Sequence, residues 1–192
     1  MKASDTSKSR SGQPPARVHP AGGPGPEVVV AECDACRLGE LYALRARVWI
    51  GEGADPAAFP GGRWTDAHDP HRLHWVALDR GRIVAGASLG IHPSLADVDE
   101  PEAFRMVPMP SGCIAAPARV VVEPAYRGSG VAQALLDRQD AAARAAGAVL
   151  AVRQASPAMR RLLQRRGWRE HGPGPVDPRF PGVEFTVMSL VP

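Results

Sequence analysis

Apolar residues recur along the chain at two spacings, and each spacing predicts its own kind of element. Short runs rich in Val, Ile and Leu read as strands over 27–32 (EVVVAE), 73–79 (LHWVALD) and 82–92 (RIVAGASLGIH). The last two are separated by Arg80-Gly81, a two-residue connection that predicts a hairpin. Further strands are expected over 113–123 (CIAAPARVVVE), 148–154 (AVLAVRQ) and 183–191 (VEFTVMSLV). Helical spacing appears over 35–49, where Leu38, Leu41, Tyr42, Leu44 and Val48 share a stripe. A second helix is predicted over 130–146, with Val131, Leu135 and Leu136 on one face, continued by Ala142, Ala143 and Ala146 and ended by Gly147. A third covers 156–167, with Ser156 as N-cap, Pro157 in the first turn and Met159, Leu162 and Leu163 inward. A Gly- and Pro-rich connection fills 50–72, and short helical pieces are expected near 94–105. The fold class is mixed α/β, with a β-α-β unit over 113–154 and no internal repeat.

Composition divides the chain of 192 residues into two parts. Residues 1–26 hold almost no large apolar side chain and are rich in Ser, Pro and Gly, so they predict a flexible arm ahead of one domain over 27–192. Lys2, Lys8, Arg10 and Arg17 against Asp5 give that arm a net charge of +3, the formal charge of the whole chain. The remainder is neutral, which argues against a nucleic-acid surface on the folded part. No apolar stretch is long enough for a bilayer and none resembles a secretory leader, so a cytoplasmic protein with no membrane partner is expected. The body contains no lysine, which excludes Schiff-base chemistry and a P-loop there. Cys33, Cys36 and Cys113 suggest no disulfide framework, and neither Cys33-Asp-Ala-Cys36 nor the cluster of His68, His71 and His74 with Asp66 and Asp69 predicts a metal site.

The candidate chemistry lies in VVVEPAYRGSGVAQALL, residues 120–136. A dinucleotide fingerprint would use Gly128 and Gly130, but Gln133 is too large at its third glycine. The turn nevertheless has Gly128 and Gly130 around Ser129, a helix that starts at the same point, small Ala132, and the charge of Arg127. Convergent backbone N–H groups at a helix start suit a pyrophosphate. An ordinary tight turn accounts for the same residues, and local chemistry alone leaves both readings open.

VVVEPAYRGSGVA resembles the acetyl-CoA motif R/Q-x-x-G-x-G/A of the Gcn5-related N-acetyltransferase superfamily, with Arg127, Gly130 and Ala132 at its three defined places. The resemblance extends in element order over 27–192 and is most specific over 118–169. It implies a central, mostly antiparallel sheet with a strand-helix-strand unit that binds acetyl-CoA as acyl donor. By resemblance the backbones of Val120, Val121 and Val122 pair with the pantetheine arm. The amides of Gly128, Ser129, Gly130, Val131, Ala132 and Gln133 hold the pyrophosphate, Arg127 supports it, and Ser156 stands where many members have an Asn near the pantetheine. The sequence also departs from the pattern. The position of the usual acid tyrosine is Leu163, and that of an acidic base is Ala151.

The front half, LYALRARVWIGEGA then DAHD then LHWVALDRGRIVAGASLGIH, is similar to a branch of the superfamily related to acyl-homoserine-lactone synthases. The resemblance implies that Arg45, Glu52, Asp66, Asp69, His74 and Arg119 surround an acceptor cleft, and among them Glu52 is the candidate catalytic base, acting through water. An arginine inside an apolar strand needs a partner, and an acceptor carboxylate would suit the fork of Arg119. The expected activity is acetyl-CoA-dependent N-acyl transfer to a small amine, with no metal and no nucleic-acid partner. The alternatives are another acyl-CoA-dependent or tailoring reaction on the same fold, and a CoA-binding module without turnover. Monomer and homodimer both stay open.

Overall fold

A computed structural model describes residues 14–18, 28–108 and 110–192. Eight strands form one sheet: β1 (Ala16–Val18), β2 (Val28–Glu32), β3 (Leu73–Asp79), β4 (Arg82–His92), β5 (Ile114–Val122), β6 (Leu150–Ala155), β7 (Arg169–Pro173) and β8 (Thr186–Leu190). Their order is β1-β2-β3-β4-β5-β6-β8-β7. Every neighbouring pair is antiparallel except β5 and β6, which the intervening helix makes parallel. The β3–β4 hairpin turns through Arg80 and Gly81, both with positive φ (48° and 81°), as its two-residue connection requires.

Three helices cover the sheet: α1 (Leu38–Gly51), α2 (Val131–Ala145) and α3 (Pro157–Gln164). The inward residues of α2, Val131, Leu135, Leu136 and Ala143, join Val28, Val30, Trp75, Ala77, Ala85 and Ala87 in the main core, and Leu163 of α3 belongs to the same cluster. On the opposite face Leu41, Leu44 and Val48 of α1 pack on Val76, Ile83 and Val121. That approach is close: a Cβ on Gly86 would lie 2.3 Å from Leu41 Cδ1 and 3.2 Å from the Trp75 carbonyl oxygen, so a larger residue would displace the Leu41 side chain. Beyond α1, the connection over 93–112 sets Leu95, Val98, Phe104 and Val107 against Ile114, Ala116, Leu150 and Val152.

Two irregularities shape the centre of the sheet. In the β4–β5 ladder Gly86 faces Val121 and Ser88 faces Ala118, so the single residue Ala87 is opposed by both Arg119 and Val120. This bulge bends β5, and Arg119 takes a left-handed conformation with φ 55°. From α2, the buried Gln139 amide donates to the carbonyls of Ser88 (2.6 Å) and Ala118 (3.1 Å) and pins the bulge. The second irregularity is that β5 and β6 pair only at Ile114–Leu150 and Ala115–Ala151. Past those pairs the strands part, and the β6-facing edge of β5 has no neighbouring strand.

The expected arm needs a correction at residues 16–18. They form β1 and pair with Val28–Val30, and half-buried Val18 packs on the main core. Arg138 of α2 donates to the Pro14 carbonyl. A single β-branched residue ending at a Pro- and Gly-rich stretch gives too weak a pattern to announce a strand, but the open edge of β2 supplies the missing half of the ladder. Residues 1–13 and 19–27 of the arm lie outside the described residues. Deleting residues 1–18 removes the strand and the Val18 contact, worth about 1 kcal/mol of apolar burial. The melting temperature should fall by roughly 2–4 °C. An unchanged melting curve would show that β1 adds nothing to the fold.

Candidate active site

The glycine-rich turn sits where β5 hands over to α2. Gly128 and Gly130 have φ of 78° and 85°, conformations that L side chains rarely adopt. Gly130 is the N-cap of α2, with no side chain capping the helix. The first intrahelical bond in this turn runs from Ala134 N to Gly130 O, so the N–H groups of Val131, Ala132 and Gln133 precede the helix ladder. Those donors and the positive end of the helix converge where an anion can sit. Ser129 donates its hydroxyl to the Tyr126 carbonyl at 2.6 Å, which ties the turn down. Arg127 donates to the Val122 carbonyl through Nε (3.3 Å) and pairs with Glu52 at 2.6 Å.

A cavity of about 440 Å³ opens where β5 and β6 separate. Ser156 and Met159 line it from the α2 side of the sheet, and Val98, Phe104 and Trp64 from the other. The cleft therefore passes through the sheet, bounded by the free edge of β5 from Ala116 to Val120. Of the three valines expected to face pantetheine, Val120 lines the cleft. Val121 and Val122 continue the same strand, pairing with Gly86 and Ala85 on the β4 side.

Beneath this cleft lies a buried charge network drawn from four elements. Asp69 accepts from Arg45 Nη1 (2.8 Å) and Arg119 Nη1 (2.5 Å). The Oδ2 that accepts from Arg119 also accepts from the Asp66 backbone N–H at 3.1 Å. Arg119 also donates to Asp66, and its guanidinium lies 5.5 Å over the Trp64 ring. Burial works to raise the pKa of the Asp69 carboxyl, but Arg45 and Arg119 outweigh it and hold the group below the usual carboxylate range. His74 meets Arg45 at Nδ1 (3.0 Å) and the Asp69 carbonyl at Nε2 (2.8 Å). A guanidinium can only donate, so Nδ1 accepts and Nε2 carries the proton. Burial, helped by the nearby guanidiniums, lowers the His74 pKa and favours this neutral form.

These positions revise several sequence-based expectations. Arg45, Asp69 and His74 are 0%, 0% and 5% exposed, so they support the cleft from below instead of lining it. Asp66 and Arg119 do line it. The fork of Arg119 is taken by two carboxylates of the protein itself, which leaves no open fork for an acceptor carboxylate. Glu52, expected as the base, pairs with Arg127 beside the glycine turn and is absent from the cleft wall. Leu163 is fully buried in the main core, where a tyrosine has no room; α3 presents Ser156 and Met159 to the cleft instead.

The sequence reading missed the aromatic wall of Trp49, Phe104, Phe180 and Phe185, and the polar residues Arg72, Asp99, Glu100, Gln154, Asp177 and Arg179. One signal was available for the buried network. Arg45 falls four residues after Leu41 and three before Val48, inside the apolar stripe of α1. No local pattern announced the aromatic wall, whose residues come from α1, the 93–112 connection and the segment before β8.

The acetyltransferase (GNAT) family matches over residues 38–168, about two thirds of the chain, and the chain belongs to that family. It is accordingly an acyltransferase whose donor is an acyl-CoA. Among solved structures, the acyl-homoserine-lactone synthase LasI superposes with a TM-score of 0.62 at 17% identity, covering 86% of this chain and 90% of its own. The putative acetyltransferase yncA from Salmonella typhimurium, determined with acetyl-CoA, gives 0.59 at 19% identity, covering 85% and 93%. The CoA-dependent acyl-homoserine lactone synthase BjaI, with SAM and isopentyl-CoA, gives 0.60 at 18% identity, covering 79% and 74%. These likenesses show the fold. Among curated protein sequences, none matches the chain.

The residues present suit the donor. The glycine turn offers uncapped N–H groups to a diphosphate, and the free edge of β5 offers an extended ligand a strand's worth of backbone partners. No helix among the described residues is long and apolar enough to cross a membrane.

Proposed function

We propose that this protein transfers the acetyl group of acetyl-CoA to the amine of a small molecule. The observation that carries this reading is the cleft through the sheet. It joins a free strand edge near the anion-binding turn to a lined cavity on the opposite face. Bound in this way, the donor supplies an activated acyl carbon, to which the amine nitrogen bonds as the carbon–sulfur bond breaks and the thiolate departs.

The protein's own part is binding and alignment. In this reading the amides of Gly128 to Gln133 hold the diphosphate, Arg127 lies beside it, and Val120, Val121 and Val122 align the pantetheine arm. Ser156, an N-cap whose hydroxyl caps nothing, faces that arm from α3. The bulge at Arg119–Val120 leaves backbone out of the ladder at the place where a carbonyl needs polarising. No tyrosine lines the cleft to protonate the thiolate. A thiol with a pKa of about 8.5 can depart unprotonated near neutral pH. Fixing amine and thioester together contributes about 7–11 kcal/mol toward the barrier. The proton released by the amine goes to water.

Purified full-length protein incubated with acetyl-CoA and a panel of small amines should release free thiol in step with N-acetylated product, identified by mass. Tight binding of acetyl-CoA with no thiol released across the panel would instead define a CoA-binding module.

A further inference from the structure

Among the described residues, the charges lining the cleft are paired except for Arg153 and Glu100. Asp66 is held by Arg119, Asp99 by Arg72, and Asp177 by a bidentate contact from Arg179 (2.9 and 2.6 Å). Each of those arginines is engaged in the same act. Arg72 is almost fully buried, and its Nε and Nη1 are out of solvent reach without a hydrogen-bond partner. Arg179 also stacks on Trp64 and Phe180, at 5.7 and 5.6 Å. Arg153 alternates with Ala151 and Ala155, so it belongs to the α2 face of the cleft, over Trp168, where its Nε and Nη1 are buried without a partner.

On the opposite face the unpaired charge is Glu100. Among the described residues no cation lies within ion-pair distance of its carboxylate, which accepts a single bond, 3.0 Å from Gln154 Nε2. Gln154 shares the acceptor-side face of β6 with Leu150 and Val152, three residues past the last β5–β6 pair. The Glu100 backbone is left-handed, with φ 54° and ψ 56°. The following Pro101 pushes the residue before it toward an extended backbone, so this position is held against local preference. The carboxylate that results is exposed and faces the stretch where the strands part.

The rest of the wall is aromatic. Trp49, Trp64, Phe104, Phe180 and Phe185 line the cavity, and Phe180 packs 4.3 Å from the Trp49 ring and 5.2 Å from that of Trp64. Flat apolar walls with one open anion select a flat apolar body carrying one cation. On the face that carries Glu100, Arg72, Arg119 and Arg179 are each held by a carboxylate of the protein, so an acceptor carboxylate there meets no free guanidinium and is set against Glu100.

We infer that the acceptor is a primary amine carried on an aromatic body and lacking a carboxylate, its ammonium received by Glu100 and giving one proton to water before the neutral nitrogen attacks. This rests on the amine-acetylation reading above and narrows it to a substrate class. The reading reverses the expectation that Arg119 binds an acceptor carboxylate.

The test uses full-length protein with saturating acetyl-CoA and three matched amines. These are 2-phenylethylamine, phenylalanine (which adds a carboxylate) and ethylamine (which removes the ring). The kcat/KM for 2-phenylethylamine should exceed each of the others by at least tenfold. Glu100→Gln should raise its KM at least tenfold, leave acetyl-CoA affinity unchanged, and melt no lower than the parent. Glu100→Asp should recover part of the loss. Binding of 2-phenylethylamine to the CoA-loaded protein is followed separately by tryptophan fluorescence. Acetylation that favours phenylalanine or ethylamine, or a KM indifferent to Glu100→Gln, overturns this inference while leaving acetyl transfer intact. Saturable, Glu100-dependent binding of 2-phenylethylamine with no amine acetylated supports the assignment of the cleft and overturns the transfer reading. Neither binding nor acetylation of 2-phenylethylamine overturns the inference.

Discussion

Asp69→Ala should lower stability by about 3–5 kcal/mol, the usual cost of removing one partner from a buried ion pair. Asp69 has no exposed surface and is the carboxylate shared by Arg45 and Arg119. Its removal leaves the fully buried Arg45 guanidinium with a neutral imidazole and the Tyr42 ring, 5.2 Å away, and no carboxylate. Arg119 keeps Asp66, so the damage concentrates at α1. For a chain of this length the melting temperature should drop on the order of 10 °C. Asp69→Asn should lose nearly as much, because it keeps the shape and removes the charge. If the alanine variant melts within a degree or two of the parent, the network is not holding the cleft floor.

The same residue predicts a pH dependence whose sign follows from its depressed pKa. In the folded state Asp69 gives up its proton more readily than the roughly 3.9 of an unfolded aspartate. The stabilisation is therefore fully present above that unfolded value and is lost as pH falls through the folded pKa. The stability gap between parent and Asp69→Asn should be constant from pH 7 to about pH 5 and narrow only in stronger acid. A gap that already narrows between pH 7 and 5 would mean another group carries the linkage. Screening by salt should change it little, since the pair is shielded from solvent.

Much of this architecture was legible because local patterns and tertiary structure agree. The Arg80-Gly81 turn specified its hairpin, and the stripe of Val131, Leu135 and Leu136 specified the helix that fills the main core. β7 was not legible. Its residues Arg169–Pro173 are half exposed and contain no apolar side chain, and only the partner edge of β8 makes them a strand. The turn proposed for the donor was readable as a strand-to-helix junction, because the glycine spacing, Arg127 and the helix start lie within a few residues of one another. The acceptor half was not, because its residue types are ordinary in isolation. Nothing in the sequence says that Arg119 will turn through a bulge onto Asp66 and Asp69, some fifty positions earlier. Once that pairing exists, the residue best suited to hold an acceptor carboxylate no longer can. Only tertiary structure, in the same way, leaves Glu100 as the unpaired acid.

Gly130→Asp should weaken acetyl-CoA binding at least 100-fold, about 2.8 kcal/mol, in calorimetric titration. The backbone at this position has φ 85°, so any side chain brings strain of about 1–3 kcal/mol. Space is not the obstacle, since the nearest group to an added Cβ is Val18 Cγ1 at 3.7 Å, an ordinary contact. A folded variant is therefore expected, with a modestly lower melting temperature. The new carboxylate would stand at the start of α2, where uncapped N–H groups and the helix dipole attract an anion. It would occupy the donors that a diphosphate needs and repel the diphosphate's own charge. Gly130→Asn separates the two effects, because asparagine has the same size and tolerates a left-handed backbone without adding charge. Its affinity should fall only about tenfold, from strain and the lost close approach. Equal losses in the two variants would show that shape alone matters and that no charged group sits at the turn. Parental affinity in both would move the diphosphate elsewhere and take the glycine turn out of the donor site.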